Sequence, residues 1–225
     1  MVYAMLSAGI RWERVEAQTD LVSGRLMLLD KIFHNYDPEF LATCKPSDLR
    51  DEVKALGCAG QYTLRQMTAL VEKNLPLLVT IEKEYGSIDA LYRTYIQADP
   101  TLKSLVRGLS ASNSPYNLLQ MGEALAAEYL KNVGYDLAKP DRHICRILGK
   151  EYLGCSERVS VPVYEAIDLI AEIAQTINKP AAEVDYILWS YCANGYGGVC
   201  TRRKPSCEIC VAYEICNQRK ERTSK

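Results

Sequence analysis

The residues of this sequence with the clearest chemical potential are four cysteines close together near the end of the chain. Cys200, Cys207, Cys210 and Cys216 are separated by six, two and five residues. Thiols spaced so closely can converge on one centre, and thiolates are soft ligands for tetrahedral zinc or for an iron–sulfur cluster. Structural zinc sites commonly use two short C-x2–4-C knuckles, and only Cys207 and Cys210 form one here. The wide flanking loops favour an iron–sulfur cluster over zinc, a C-x-x-C redox pair or unrelated buried thiols.

The compartment implied by the N-terminal residues supports ligation over disulfide bonding. Residues 1–6 lack the basic region and the long apolar stretch of a signal peptide. No apolar run reaches the ~18 residues that a membrane span requires. We therefore expect a cytoplasmic protein that does not contact a membrane, in a compartment where disulfides are rare. The remaining cysteines are scattered, and we expect them to be buried or incidental: Cys44, Cys58, Cys145, Cys155 and Cys192.

Charge is unevenly distributed along the chain. The net charge is −1, but residues 200–225 contain seven basic and three acidic residues, which gives +4 for this segment and −5 for the remainder. Arg202, Arg203 and Lys204 lie between the first two clustered cysteines, so a basic loop could contact phosphates. A solvated basic tail is the plainer interpretation of the same residues.

Apolar periodicity predicts an all-α fold. Apolar residues recur at helical spacing in four stretches, and no clean alternating run predicts a strand. Gly134 follows the second stretch where a helix C-cap is expected, and Pro180 precedes the fourth where a helix begins. The four stretches span residues 64–71, 126–133, 163–174 and 184–191.

A glycine-containing segment in the middle of the chain predicts an anion site. Residues 118–122 form a tight turn on Gly122 that runs into the second helical stretch. Backbone amides at a helix N-terminus favour anions through geometry and through the helix dipole. Nineteen residues after Gly122, Asp141 precedes an apolar-periodic stretch, and taken alone it is an N-cap residue.

The turn, the aspartate and the cysteine loop together resemble the helix-hairpin-helix DNA glycosylases of the endonuclease III type. The family hairpin h-G-h-G-x-x-x-A is matched by Met121, Gly122 and Ala126, with Gln120 in place of the first glycine. The resemblance covers roughly residues 118–146 and 184–220, and more loosely residues 5–110.

Two further segments carry the resemblance. The family pattern D-x-H-I-x-R is matched by residues 141–146, and the cysteine spacing is matched together with Lys204-Pro205. The resemblance implies a two-lobed all-α fold. Residues 20–133 would form a helical barrel lobe with the hairpin. Residues 1–19 and 134–225 would form the second lobe, with the cluster loop at 200–216.

The resemblance also implies an activity, a cofactor and roles for individual residues. It implies a base-excision repair glycosylase that cleaves the N-glycosidic bond of a damaged or mismatched base in double-stranded DNA, and we expect a monomer. Asp141 becomes the catalytic carboxylate, and the four clustered cysteines hold a 4Fe–4S cluster. His143 is expected to be structural. The residues expected to contact DNA are Gln120, Met121, Gly122, Ala124, Arg202, Arg203 and Lys204.

One departure from the family pattern bears on whether AP-lyase activity is expected. Bifunctional members carry a lysine two residues after the second hairpin glycine, and Ala124 occupies that position here. A Schiff base requires an amine nucleophile at the sugar, so AP-lyase activity is not expected. The alternative is an iron–sulfur protein that binds nucleic acid without catalysis.

The N-terminal part suggests the base pocket through two competing alignments. Residues 8–12 and 33–38 are similar to the A-G-L-S-W and F-x-x-F-D-P segments of type I 3-methyladenine glycosylases, with Trp12 as a stacking wall or an ordinary core residue. Alternatively, residues 6–8 match the L-S-A of endonuclease III, whose following glutamine fills the gap left by an extruded base. Gly9 stands at that glutamine position, and Gln18 is the nearest replacement.

Overall fold

The structure is a computed structural model that describes residues 1–8, 12–20, 22–23 and 25–218. Over these residues the protein is all-helical and contains no strand, which confirms the predicted all-α class. None of the helices in this part of the chain is both long and apolar enough to cross a membrane. Two predicted features lie outside the described residues: Gly9–Arg11 of the N-terminal resemblance, and the basic residues Arg219, Lys220, Arg222 and Lys225.

The chain divides into two compact units, Met1–Tyr129 and Leu130–Lys225. The first unit includes residues 1–19, which the resemblance places in its second lobe. The boundary between the compact units does not test the boundary between the lobes of that family. The predicted lobe boundaries therefore stay a prediction.

The first unit is built from short helices around an aliphatic core, in which Leu29, Leu70 and Leu105 are fully buried. One of its helices, α4 (Pro38–Thr43), begins at a side-chain cap. Asp37 caps α4 by accepting a hydrogen bond from the amide of Glu39 at 2.9 Å, and Pro38 occupies the first helical position. The helices are α1 (Val2–Leu6), α2 (Trp12–Glu16), α3 (Met27–Ile32), α4 (Pro38–Thr43), α5 (Pro46–Ala55), α6 (Thr63–Ala69), α7 (Leu75–Tyr85), α8 (Ile88–Ala98), α9 (Lys103–Ser110) and α10 (Glu123–Asn132), which extends into the second unit.

Two irregular turns interrupt this series. A 3-10 turn, His34–Tyr36, has three consecutive residues with positive φ, and a π-helical turn, Leu70–Asn74, joins α6 to α7. Non-glycine residues with positive φ are costly and persist only where their surroundings hold them. The surroundings of the His34–Tyr36 turn must therefore hold its conformation.

The second unit contains α11 (Arg142–Ile147), α12 (Val163–Thr176), α13 (Ala181–Cys192) and a 3-10 turn, Cys207–Ile209. Its core includes Ile144, Leu148 and Ile170, which are fully buried. The carboxylate of Asp136 caps α13 by accepting hydrogen bonds from the amides of Ala181 and Ala182 at 3.1 and 2.9 Å. This unit therefore presents α11 and α13 to the cysteine loop that follows α13.

The four predicted helical stretches lie on α6 with the π turn, α10, α12 and α13, and Gly134 ends α10 with a φ of 102°. Their predicted apolar faces are only partly correct. Leu64, Val133 and Ile187 are 44%, 52% and 54% exposed. Periodicity alone does not reveal which part of an apolar stripe the neighbouring elements cover.

Candidate functional site

Buried residues on both sides of its tip anchor the hairpin turn that precedes α10. Leu118 and Met121 are buried, and the Leu118 amide donates to the carbonyl of Leu109 at 2.8 Å. The Met121 amide donates to the carbonyl of Leu118 at 3.1 Å and closes the turn. Gln120 and Gly122 are exposed between and after these anchors. The turn is thus a rigid backbone feature presented to solvent.

The residue in the left-handed region is Gln120, not Gly122. Gln120 has a φ of 62°, whereas Gly122 lies outside that region and an added Cβ there would meet no atom within 4 Å. The predicted tight turn on Gly122 is therefore centred two residues earlier. Gln120 occupies the position where the resembling family has its first glycine, and a positive φ explains why glycine suits that position.

The first turn of α10 carries both an attraction and a repulsion for anions. The Leu125 amide donates to the carbonyl of Gly122 at 2.9 Å, whereas the amides of the first helical residues have no acceptor within the helix, which favours an anion at this end. Glu123 is the first residue of α10 and is exposed. Its charge opposes a phosphate, so the backbone must supply most of the attraction at this turn. Ala124 follows it and is half-buried.

Asp141 occupies the N-cap of α11. Its Oδ1 accepts hydrogen bonds from the amides of His143 and Ile144 at 2.7 and 3.2 Å. Among the described residues, the hydrogen bonds of this carboxylate all end on Oδ1. Asp141 is half-buried, so the carboxylate is held in one orientation while part of it remains accessible. The capping role and a chemical role are compatible at this position.

His143 contributes its backbone amide to this cap. Its side chain is half-buried, and burial lowers the pKa of the imidazole more than the charge of Asp141 raises it. The neutral imidazole is therefore the favoured form at neutral pH.

Arg146, near the end of α11, joins this helix to the cysteine loop. Its Nη2 donates to the carbonyl of Cys200 at 2.5 Å, and Nη1 lies 3.7 Å from the Cys200 sulfur. The guanidinium also lies over the ring of Tyr152, 4.7 Å from its centroid. A single short helix thus connects the Asp141 carboxylate with the first cysteine of the loop.

The four clustered cysteines form no disulfide among the described residues, and all four are half-buried. A cavity of about 140 Å³ opens between α11, α13 and the loop, and Cys200, Cys210 and Cys216 lie on its wall. The remaining wall is largely apolar and includes Ile147 and Leu188. Cys207 begins the 3-10 turn and is not part of this wall.

Two consecutive residues of α13 bond to the cysteine sulfurs. A hydrogen bond from the Cys192 thiol, together with the charge of Arg146, lowers the pKa of Cys200 to about 6 against the effect of burial. The hydroxyl of Tyr191 is hydrogen-bonded to Cys210 and accepts from the amide of Val211 at 3.0 Å. Cys192 is buried, as expected, and its hydrogen bond to Cys200 gives it a defined position beside the loop.

The donor set fits a group held by thiolates. Cys200, Cys210 and Cys216 line one cavity whose wall is otherwise largely apolar. Within the described residues, no three His, Cys, Asp or Glu side chains are arranged to hold a single metal ion. The cluster ligands named from the resemblance stay a prediction.

The other predicted contact residues lie on the cysteine loop and in the first unit. Arg202, Arg203 and Lys204 are exposed on the cysteine loop, and the Lys204 amide donates to the Thr201 hydroxyl at 3.3 Å. Trp12 and Gln18 are both half-buried in the first unit. Neither position distinguishes a base-pocket role from ordinary packing.

Sequence reasoning missed several residues that shape these features. Arg146 is the last residue of the matched D-x-H-I-x-R segment, so a role for its side chain could have been predicted from that match. Asn74 is a polar residue beside an apolar helical stretch, which is a signal for a buried hydrogen bond. Nothing in the sequence indicated that Tyr191 and Cys192 bond to the clustered cysteines.

No protein-family model, no curated protein and no solved structure matches this chain. Function is therefore inferred from the residues and geometry described above.

Proposed function

We propose that this chain is a monofunctional DNA glycosylase of the helix-hairpin-helix type, which hydrolyses the N-glycosidic bond of a damaged or mismatched base in double-stranded DNA. The observation that carries the proposal is the role of α11. This helix fixes a partly accessible carboxylate at one end, through Asp141, and binds the first cysteine of the loop at the other end, through Arg146. Both elements of the sequence resemblance in this unit thus depend on one helix.

Asp141 is the catalytic residue in this proposal. A target nucleotide must leave the base stack before its glycosidic bond can be reached. Positive charge then develops on the sugar, and a carboxylate stabilises it or activates the attacking water. Two amides hold Oδ1, so the carboxylate needs little reorganisation when that charge appears. Oδ2 is the atom that would face the sugar or the water.

The hairpin and the cysteine loop would hold the DNA backbone. The exposed turn at Gln120 and Gly122 presents amides to a phosphate, and exposed Arg202, Arg203 and Lys204 supply positive charge. These contacts release counterions, so binding weakens as salt concentration rises.

Cys200, Cys207, Cys210 and Cys216 would hold a 4Fe–4S cluster. When bound, the cluster would cross-link the loop and fix its shape, as thiolate-ligated iron–sulfur groups do. Arg146, Tyr191 and Cys192 would support the loop from the helices behind it. Three of the four thiols face the cavity described above, which is compatible with this assignment.

Water is the nucleophile in this proposal because the hairpin lacks a lysine. Ala124 is half-buried at the position of the family lysine, and no amine is available there to form a Schiff base. The expected products are a free base and an intact abasic strand.

Base release from duplexes carrying a panel of lesions tests the proposal. We expect Asp141→Asn to bind an abasic-site duplex normally and to release base more slowly by at least about 100-fold, because asparagine keeps the cap and removes the charge. Asp136→Asn is the matched control, since Asp136 caps α13 in the same unit, and it should excise at the wild-type rate.

Each other outcome contradicts part of the proposal. If no lesion is excised and Asp141→Asn binds DNA as the wild type does, the chain is a non-catalytic iron–sulfur nucleic-acid-binding protein. A borohydride-trapped covalent product would contradict the monofunctional assignment.

A further inference from the structure

The helical segment formed by α6 and α7 contains a π turn, and this turn determines where the side chain of Asn74 lies. Between α6 and α7 the helix widens into the π turn Leu70–Asn74. A π turn accommodates one extra residue and changes the direction of the side chains that follow, and such turns are frequent at functional sites. Asn74 is the last residue of this turn, directly before Leu75 and Pro76.

Both polar groups of the Asn74 side-chain amide form hydrogen bonds with the backbone of Leu119 in the hairpin. Its Nδ2 donates to the carbonyl of Leu119 at 3.1 Å, and its Oδ1 accepts from the amide of Leu119 at 2.8 Å. Asn74 is completely buried, whereas the side chain of Leu119 is 42% exposed. The contact is therefore with the backbone of the turn, and it pairs polar groups that would otherwise be buried without partners.

The residue held in this way directly precedes the strained position. Gln120, with its φ of 62°, follows Leu119 in the turn. A left-handed non-glycine residue costs free energy and persists only when its surroundings determine its conformation. Leu118 and Met121 anchor the turn by burial, and Asn74 fixes the peptide groups between them.

The geometry points to Asn74 as a positioning residue for DNA-backbone binding: from the π turn, it holds the hairpin in the conformation that presents its amides to a phosphate. This inference rests on the proposed function, in which the hairpin binds DNA. Asn74 itself is buried and would not touch the DNA.

Binding of a fluorescently labelled duplex with an abasic-site analogue, measured by anisotropy below the melting temperature of every variant, tests this role. Asn74→Leu is nearly isosteric and removes both hydrogen bonds. We expect about tenfold weaker binding and a slope of log Kd against log salt smaller by about 1, the loss of one phosphate contact. The absorption near ~400 nm that a bound cluster gives should be unchanged.

Gln66→Leu is the matched control because it also removes a buried amide from the same helical stretch. Gln66 lies in α6, is 2% exposed and bonds through Nε2 to the carbonyl of Met5, away from the hairpin. It should lower the melting temperature and leave both Kd and the salt slope at wild-type values. A merely structural role for Asn74 predicts the same result for Asn74→Leu.

Wild-type Kd and slope in Asn74→Leu would overturn the inference while leaving the proposed function intact. Should that variant not fold, Asn74→Ser, whose hydroxyl is too short to make both bonds, decides the question by the same measurement. No binding by the wild-type protein would overturn the proposed function and this inference together.

Discussion

Single aspartates in this protein accept several hydrogen bonds each, yet their surroundings give them different roles. Asp136 caps α13 and Asp141 caps α11, both through backbone amides. Asp30 is 3% exposed and instead accepts from the hydroxyls of Tyr3 and Tyr36 at 2.5 and 2.7 Å and from Arg25 Nε at 2.8 Å. Of these three aspartates, Asp141 is the one that is half-buried and lies on the helix whose Arg146 binds Cys200, which is why it is the proposed catalytic residue.

Asp30 makes stability depend on acidity. Burial alone would raise its pKa, but the hydrogen bonds from Tyr3 and Tyr36 and the charge of Arg25 outweigh burial and lower it. Its stabilising contribution is therefore complete above the unfolded value of 3.8 and is lost as pH falls through the lower folded value. We expect Asp30→Asn to reduce the free energy of unfolding at pH 7 by about 2 kcal/mol and to flatten its decline below pH 4, measured by urea unfolding.

The control for this prediction is Asp89→Asn, which alters an exposed aspartate in the first turn of α8. It should follow the wild-type curve of stability against pH. A decline in Asp30→Asn as steep as that of the wild type would show that other carboxylates cause the acid sensitivity.

At the scale of elements, short helices and turns hold the single residues on which the proposed function depends. Several hydrogen bonds tie the cysteine loop and the residue that follows it to the rest of the second unit. Arg146 binds Cys200, Tyr191 accepts from the amide of Val211, and the Asn217 amide donates to the carbonyl of Tyr152 at 2.9 Å. The loop therefore has a defined path through backbone contacts in addition to any bound group.

Tyr191 is expected to protect a bound cluster. Its hydroxyl contacts Cys210 and the Val211 amide, so Tyr191→Phe leaves both without that partner and loosens one side of the loop. We expect Tyr191→Phe to lose the ~400 nm absorption faster than the wild type during incubation with an iron chelator. Tyr186→Phe is the control, since Tyr186 is an exposed tyrosine of the same helix. Equal rates in all three proteins would contradict a supporting role for Tyr191.

The sequence predicted the helices of this protein better than the contacts between them. Periodicity located α10, α12 and α13 because burial imposes a helical repeat on apolar residues. It could not predict that Leu64 and Ile187 are exposed, because the covering elements are distant in the chain. The cap at Asp141 was predictable from local spacing. The Asn74 contact was not predictable, since it joins residues 45 positions apart and depends on a π turn that no local sequence pattern indicates.

At the scale of the whole molecule, near-neutral net charge conceals an uneven distribution. The chain carries −1 overall, while its last 26 residues carry +4. Arg202, Arg203 and Lys204 are the described and exposed part of that positive segment, and they lie on the cysteine loop itself. In the proposed function, the acidic remainder of the chain would repel DNA and the basic segment would attract it.

The cysteine loop should therefore account for a measurable part of the salt dependence of DNA binding. We expect Arg202→Ala/Arg203→Ala to bind duplex DNA more weakly and to lower the slope of log Kd against log salt by about 2, one unit for each lost phosphate contact. Lys54→Ala/Arg93→Ala removes the same charge from exposed positions of the first unit and should leave the slope unchanged. Equal slopes for the two double variants would mean that the loop acts only through net charge, and the backbone contact assigned to it would be wrong.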